Sequence, residues 1–379
     1  MNKRILIDAS GVNITKPSGG AYCVKAYIEV LISLYPGQID VLYPEEFHIS
    51  DPRFRTIPVR QRTLVEKAVQ TLKGHVYRGA ETIIKLLKAH PDEYACVFFN
   101  GGVLASSVLQ RIHNLDVTTI VLHHNFESEY HMDSRTLFTL RGRTDKWIKY
   151  LERRAYRLAD VNLFLTVQDR QLFETHYGKR DNNYVSGIFE PANERFPLIE
   201  SSSQSAVITC SLGSEQNKRP LLRFMEHFYP LFHRALPQWQ LHIMGRNPSS
   251  EIMEIEKKYP NVTITPNPAN INELAAQSTI YICPMDSGGG LKLRMMDGLR
   301  AGQPILTHQR AARGYDALAN EPFFQAYEDE VSFIHGLEAI LEYLNANPSY
   351  RASIQNKYYA AFSFERGRQR LQAILSNIL

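Results

Sequence analysis

The chain has 379 residues, enough for two domains at roughly 100–200 residues each. Hydrophobic residues make up 44% and charged residues 22%, a balance that excludes a disordered chain, a collagen-like repeat and a bundle of membrane helices. A net charge of +4 is too mild to imply nucleic acid as a partner. The positive charge is local, however. Arg53, Arg55, Arg60, Arg62, Lys67, Lys73, Arg78, Lys85 and Lys88 stand against only Glu66 and Glu81, so this stretch is strongly basic and the rest of the chain slightly acidic.

Cys23, Cys96, Cys210 and Cys283 are scattered singly in apolar contexts, which predicts buried free thiols in a reducing cytosol. The N-terminus opens like a signal peptide, but Asp8 ends the apolar run Ile5-Leu6-Ile7. The longest uncharged stretch, 94–110, is interrupted by Asn100, Gly101 and Gly102 and falls short of the ~18 apolar residues of a membrane span. A cytoplasmic protein is expected.

In chain order, residues 4–9 read as a buried strand. A loop with Pro17, Gly19 and Gly20 follows, then a helical pattern through Val24, Tyr27, Ile28 and Leu31. Short apolar runs at 41–43, 96–99, 119–122 and 161–165 read as further strands, and a long helix carries Trp147, Tyr150, Leu151 and Ala155 on one face. The polar junction 201–205, just past Pro191 and Pro197, reads as a linker. The pattern then restarts, with strands at 207–210, 240–244, 262–264, 279–282 and 304–306 and a helix containing Leu221, Leu222, Phe224 and Met225. Strands alternating with helices indicate parallel α/β units, and in open parallel sheets ligands bind at the carboxyl ends of the strands. In the basic stretch Leu64, Val65, Val69, Leu72 and Val76 recur at helical spacing, which suits a solvated helix pair, an anionic membrane surface or a diphosphate-linked lipid acceptor, or an apolar face packed on the N-domain.

The sharpest signal is the run Pro284-Met285-Asp286-Ser287-Gly288-Gly289-Gly290-Leu291-Lys292-Leu293-Arg294-Met295-Met296-Asp297. It follows a strand, and its glycines lead toward a helix. Exposed backbone N–H groups and a positive helix end suit a diphosphate, and glycine allows close approach. Lys292 and Arg294 add full positive charge. Asp297, expected about two turns into the helix, is placed to accept hydrogen bonds from ribose hydroxyls. His123, His124, Glu127, Glu129 and His131 lack the H-E-x-x-H spacing of a zinc helix, and no Asp-x-Asp is present to hold a divalent ion. No G-x-G-x-x-G, G-x-S-x-G or P-loop motif occurs.

The run 284–304 resembles the donor-binding motif of retaining family-4 glycosyltransferases of the GT-B fold, P-x-x-x-G-G-G-x-K/R-x-K-x-x-E-A-x-A-x-G-x-P. Residues 241–248 are similar to that family's second C-domain strand and glycine turn, which places Gly245 and Arg246 at the donor. Residues 272–282 resemble the element before the donor loop. Residues 151–160 resemble the helix that precedes the "S/T-x-x-D" turn, here Thr166-Val167-Gln168-Asp169. The resemblance implies an α/β fold of two doubly wound Rossmann-like domains facing a central cleft. Residues 1–195, joined by a C-terminal helix at about 355–379, would bind the acceptor, and residues 196–354 the nucleotide-sugar.

By the same resemblance Gly19 and Gly20 match the N-domain glycine loop near the donor phosphate, and Lys218 a phosphate-binding lysine. His123-His124-Asn125-Phe126-Glu127 matches an "H-N-x-E" segment, with His124 lining the sugar pocket and Glu127 beside it as the catalytic pair. Donor contacts would come from Gly288, Gly289, Gly290, Leu291, Lys292, Arg294 and Asp297. The chain also departs from the pattern. The family's paired glutamates would fall at Gly289 and Asp297, so the first is absent, and Asp286 is a candidate substitute. An arginine usually found before the phosphate lysine would fall near Leu212 and is missing.

The resulting expectation is a metal-independent hexosyltransferase. It has no cofactor, takes a UDP- or GDP-linked sugar as donor and a saccharide, a lipid-linked glycan foremost, as acceptor, and transfers with retention. Residues 53–88 would meet an anionic membrane surface, with the protein peripheral to it and nucleic acid excluded. The alternatives are an inverting GT-B transferase, a sugar-nucleotide epimerase, or an inactive partner subunit that only binds nucleotide-sugar.

Overall fold

The computed structural model describes residues 3–13, 18–63, 65–66, 79–127, 141–199 and 203–379. The chain divides into two compact units, Met1–Asn193 with Phe362–Leu379, and Glu194–Ala361.

In the first unit seven parallel strands form one sheet: β1 (Arg4–Asp8), β2 (Ile39–Pro44), β3 (Arg55–Val59), β4 (Tyr94–Asn100), β5 (Thr118–His123), β6 (Val161–Phe164) and β7 (Asn183–Val185). Their order is β3-β2-β1-β4-β5-β6-β7. The winding therefore reverses at β1, whose Ile7 lies opposite Val41 on one side and Phe98 on the other. Both faces of β2 and nearly all of β4 are buried, which is why their sequences run apolar rather than alternating. On one face Leu6, Leu42, Val97, Phe99 and Val121 pack with Ile83 and Leu87 of helix Gly79–Ala89 and with Val108 of helix Gly102–Ile112. On the other, the ring of Tyr27, on helix Gly19–Leu34, packs at a tilt against Phe98 and Phe189.

The second unit has a six-stranded parallel sheet: β8 (Ser205–Ser211), β9 (Gln240–Arg246), β10 (Val262–Pro266), β11 (Ile280–Cys283), β12 (Ile305–His308) and β13 (Phe324–Tyr327). The order β10-β9-β8-β11-β12-β13 again reverses at its first strand, β8. Buried Arg351, on helix Tyr350–Phe362, donates to the carbonyls of Ala276, Ser278 and Ala301 and so ties the ends of helices Ile271–Ala276 and Arg294–Arg300 to its own helix.

Three strands were not legible beforehand. β3 lies inside the basic stretch and carries Pro58, tolerated because the strand is at the sheet edge. β7 and β13 are three and four residues long. The C-terminal stretch, expected as one helix over 355–379, is two helices, Tyr350–Phe362 and Phe364–Leu375. Ser363 breaks them: its backbone is extended, and its hydroxyl accepts from the Arg366 N–H as a new N-cap.

The basic stretch is also corrected in part. It opens with a strand rather than a helix, and among the described residues Arg53, Arg55, Arg60 and Lys85 are ion-paired. Arg53 pairs with Glu29 and Asp51, Arg60 with Glu66, and Lys85 with Glu81. Arg55, with Arg4 and the Tyr94 hydroxyl, satisfies the fully buried Asp40 carboxylate. A buried carboxylate needs such partners, so the charge of Arg55 serves the fold. Leu64, Lys67, Val69, Leu72, Lys73, Val76 and Arg78 lie outside the described residues. No helix among the described residues is long and apolar enough to cross a membrane. All four cysteines are buried and unbridged.

Candidate active site

The carboxyl ends of three adjacent strands in the second unit carry the donor-site candidates. β8 runs through Ser211–Ser214 into helix Glu215–Arg223, and Lys218 stands in its first turn. The Lys218 ammonium is held by Glu215 at 2.7 Å and Glu251 at 3.2 Å. Gly245 and Arg246 end β9. A Cβ on Gly245 would lie 1.8 Å from the Cys210 carbonyl oxygen, so only glycine lets β9 approach β8 this closely. Arg246 is exposed beside it.

From β11 the chain enters an irregular loop that reaches the helix Arg294–Arg300 only after Leu293. Gly288 (φ 83°) and Gly290 (φ 72°) adopt left-handed backbone that side chains resist, and this keeps the loop out of helical conformation. The Lys292 ammonium folds back on the carbonyls of Gly288 (3.1 Å) and Gly289 (3.2 Å). Leu291 follows the glycines in the same loop.

Because the helix starts late, Asp297 lies in its first turn rather than two turns in. Its two oxygens are engaged by Arg294 and Arg300, each at 3.2 Å. β8, where the strand order reverses, lies between β9 and β11, so Lys218, Gly245, Arg246 and the glycine loop share the carboxyl edge where such sheets bind ligands.

A pair that sequence reasoning reached only in half lies at the same edge. The Arg223 guanidinium makes a bidentate contact with the Asp286 carboxylate. Arg310 donates to the Asp286 carbonyl. The sequence around Arg223 gave no signal for this, because its partner lies 63 residues further along the chain, in the loop after β11.

In the first unit, Gly19 and Gly20 open helix Gly19–Leu34, capped by the Ser18 hydroxyl at the Ala21 N–H. Both glycines are exposed, and a Cβ on Gly20 would meet nothing within 4 Å. They follow β1, where this sheet reverses. Residues 14–17 of their loop lie outside the described residues.

The His123–Glu127 segment leaves the carboxyl end of β5. Its two histidines are in different surroundings. His123 is core: its Nε2 meets the Asn162 Oδ1 at 2.9 Å, and its ring packs on Phe164 and Phe173. Burial lowers its pKa to about 4, so it is neutral. His124 is partly exposed, yet its Nε2 is enclosed with no hydrogen-bond partner among the described residues. Burial lowers it to about 4 as well.

Glu127 is partly buried, and burial raises its pKa to about 7, with the nearby Glu152 carboxylate next in effect. The Asn125 side chain opposes the rise and Asp169 adds to it. Thr166 and Asp169 form the expected turn, with the Thr166 hydroxyl capping the Asp169 N–H and donating to its carboxylate. Glu129 and His131 lie outside the described residues. Among the described residues no group of three His, Cys, Asp or Glu side chains converges to hold a metal ion.

Residues 204–342 match the family model described as "Glycosyl transferases group 1". No curated protein matches the sequence. The structure is similar to sucrose-phosphate synthase from Thermosynechococcus elongatus, with a TM-score of 0.71 at 12% identity over 100% of this chain and 99% of that one. It is also similar to Anabaena HepE in complex with UDP and glucose (TM-score 0.66, 12% identity, 100% of both chains). The lipopolysaccharide outer core galactosyltransferase WaaB in its apo form is comparably similar (TM-score 0.66, 10% identity, 100% of both chains). At these identities the likeness establishes the GT-B fold, and the match over 204–342 indicates a glycosyltransferase.

Proposed function

We propose that the protein transfers a sugar from a UDP- or GDP-linked donor to a saccharide acceptor, with retention at the anomeric carbon and without a metal ion. The observation that carries this reading is the cationic carboxyl edge at β9, β8 and β11, with Lys218, Arg246, Lys292 and Arg294 around a loop of left-handed glycines. Lys218 and Lys292 are held by carboxylates and loop carbonyls, contacts a diphosphate can exchange for its own oxygens. Preorganised cations and N–H groups stabilise the charge that develops as the glycosyl–phosphate bond breaks. In this reading the acceptor oxygen bonds the anomeric carbon on the face the diphosphate leaves, and its proton passes to a phosphate oxygen. No carboxylate nucleophile is then required. Asp297 would exchange an arginine for the ribose hydroxyls, and His124, whose enclosed Nε2 has no partner among the described residues, would meet the sugar.

The acceptor we favour is a lipid-linked glycan at an anionic membrane surface, met through residues 53–88. The support is the local excess of cations there, reduced by the ion pairs of Arg53, Arg55, Arg60 and Lys85. The test is product detection with a panel of UDP- and GDP-sugars and glycan acceptors, with the anomeric configuration of the product read by NMR. An axial-to-axial or equatorial-to-equatorial outcome supports the reading. Inverted product overturns retention, and donor binding with no turnover of any donor points to an inactive partner subunit.

A further inference from the structure

The Glu152 carboxylate is almost fully buried on helix Arg141–Leu158, and it is not among the residues placed at the donor or the sugar above. One of its oxygens accepts the Glu127 backbone N–H at 2.7 Å, and the other accepts the Tyr177 hydroxyl at 2.8 Å. Tyr177 is the last residue of helix Val167–Tyr177, whose first turn holds Asp169. Phe126, beside Glu127, packs on Phe173 and Tyr177 of the same helix. Two helices thus grip the segment that follows β5 through one carboxylate and an aromatic cluster. An apolar residue at 152 would fill the volume at less desolvation cost, but it would leave the Glu127 N–H without an acceptor.

We propose that Glu152 is the positioning residue for Glu127: it fixes the backbone from which the Glu127 side chain projects and sets its electrostatic surroundings. The proposal rests on the reading that the His124–Glu127 segment meets the transferred sugar. Among the described residues, the groups that act on the Glu127 carboxyl are Glu152, Asp169 and Asn125. The Glu152 charge opposes ionisation of Glu127, so Glu127 can hold or release a proton near neutral pH. Such a group suits a hydrogen bond to a sugar hydroxyl in either role.

The experiment uses the full-length protein and donor hydrolysis with whichever UDP- or GDP-sugar it turns over. Glu152→Gln retains both hydrogen bonds, with the amide oxygen toward the Glu127 N–H and the amide N–H toward the Tyr177 oxygen, but removes the charge. Glu152→Ala removes both. The expectation for Glu152→Ala is a fall in kcat of about tenfold or more with KM nearly unchanged, and faster hydrogen exchange at the 123–127 amides. Glu152→Gln should restore kcat to near the original value and move the Glu127 limb of the pH–rate profile to lower pH. If Glu152→Ala does not fold, the pH limb of Glu152→Gln decides. An unmoved limb in Glu152→Gln, or an unchanged kcat in folded Glu152→Ala, overturns the proposal. Glu127→Gln separates the two claims. Unchanged turnover in that variant defeats the functional reading of Glu127, and the exchange rates of the 123–127 amides then test the grip of Glu152 by themselves.

Discussion

Replacing Glu127 by Gln should make the first unit more stable at alkaline pH and leave it nearly unchanged in acid. In the folded chain the Glu127 carboxyl titrates at about 7 instead of 4.5, chiefly because it is buried and then because Glu152 lies nearby. Its folded-state pKa is raised, so its contribution to stability is fully present below pH 4.5 and is lost as pH rises through 7. Each pKa unit corresponds to about 1.4 kcal/mol, so the loss amounts to roughly 3 kcal/mol once both states are ionised. Glutamine has the same shape and no proton to lose. The variant should therefore melt at about the original temperature at pH 4.5 and roughly 6–12 °C higher at pH 8, given 2–4 °C per kcal/mol for a unit of this size. His123 and His124 slope the other way. Their pKa values are lowered by burial, so their contribution is complete above 6.5 and lost as pH falls toward 4. Both histidines are present in both proteins, and they cancel in the difference. Scanning calorimetry of the two proteins across pH 4.5–8 gives the offset directly. An offset of the same size at both ends would refute the argument, because it would mean that the carboxyl is not desolvated.

Asp297→Asn should weaken binding of UDP or GDP by about 1–3 kcal/mol in calorimetry, the cost of losing charged hydrogen bonds to ribose; an unaltered affinity would leave Asp297 only its contacts with Arg294 and Arg300. Turnover should persist in EDTA, with the diphosphate neutralised by Lys218, Lys292 and Arg294; complete loss that Mn²⁺ reverses would contradict this. Replacing Arg60, Arg62, Lys67 and Lys73 by Glu should release the protein from anionic vesicles at low salt, each cation near the bilayer contributing on the order of 1 kcal/mol. No binding by the unaltered protein under the same conditions would remove the membrane from the account.

The sequence revealed elements wherever burial writes an apolar run. β1, β2, β4 and β5 lie inside the sheet, and their residues are apolar because helices cover both faces. β3 and β7 lie at the edges, where a strand needs fewer apolar residues and can carry Arg55 and Pro58. The glycine loop was legible because its backbone demands glycine at 288 and 290. Its extent was not: the late helix start, which moves Asp297 into the first turn, comes from those same φ angles. Pairs far apart in the chain were hidden for a simpler reason. Arg223 meets Asp286, and Glu152 meets the Glu127 amide, across elements whose packing no local pattern encodes. Of the adjacent histidines, the β5 register turns His123 into the core against Asn162 and Phe164, which leaves His124 at the end of the strand.

The central claim is that the loop 284–293 and its neighbours hold a nucleoside diphosphate. Titration calorimetry of UDP and GDP against the full-length protein and against Lys292→Ala tests it most directly. The account predicts saturable binding of one of the two nucleotides without added metal, weakened about tenfold or more in the variant through loss of a charge-assisted contact to phosphate. Failure of both nucleotides to bind, or equal affinity in the two proteins, would contradict it.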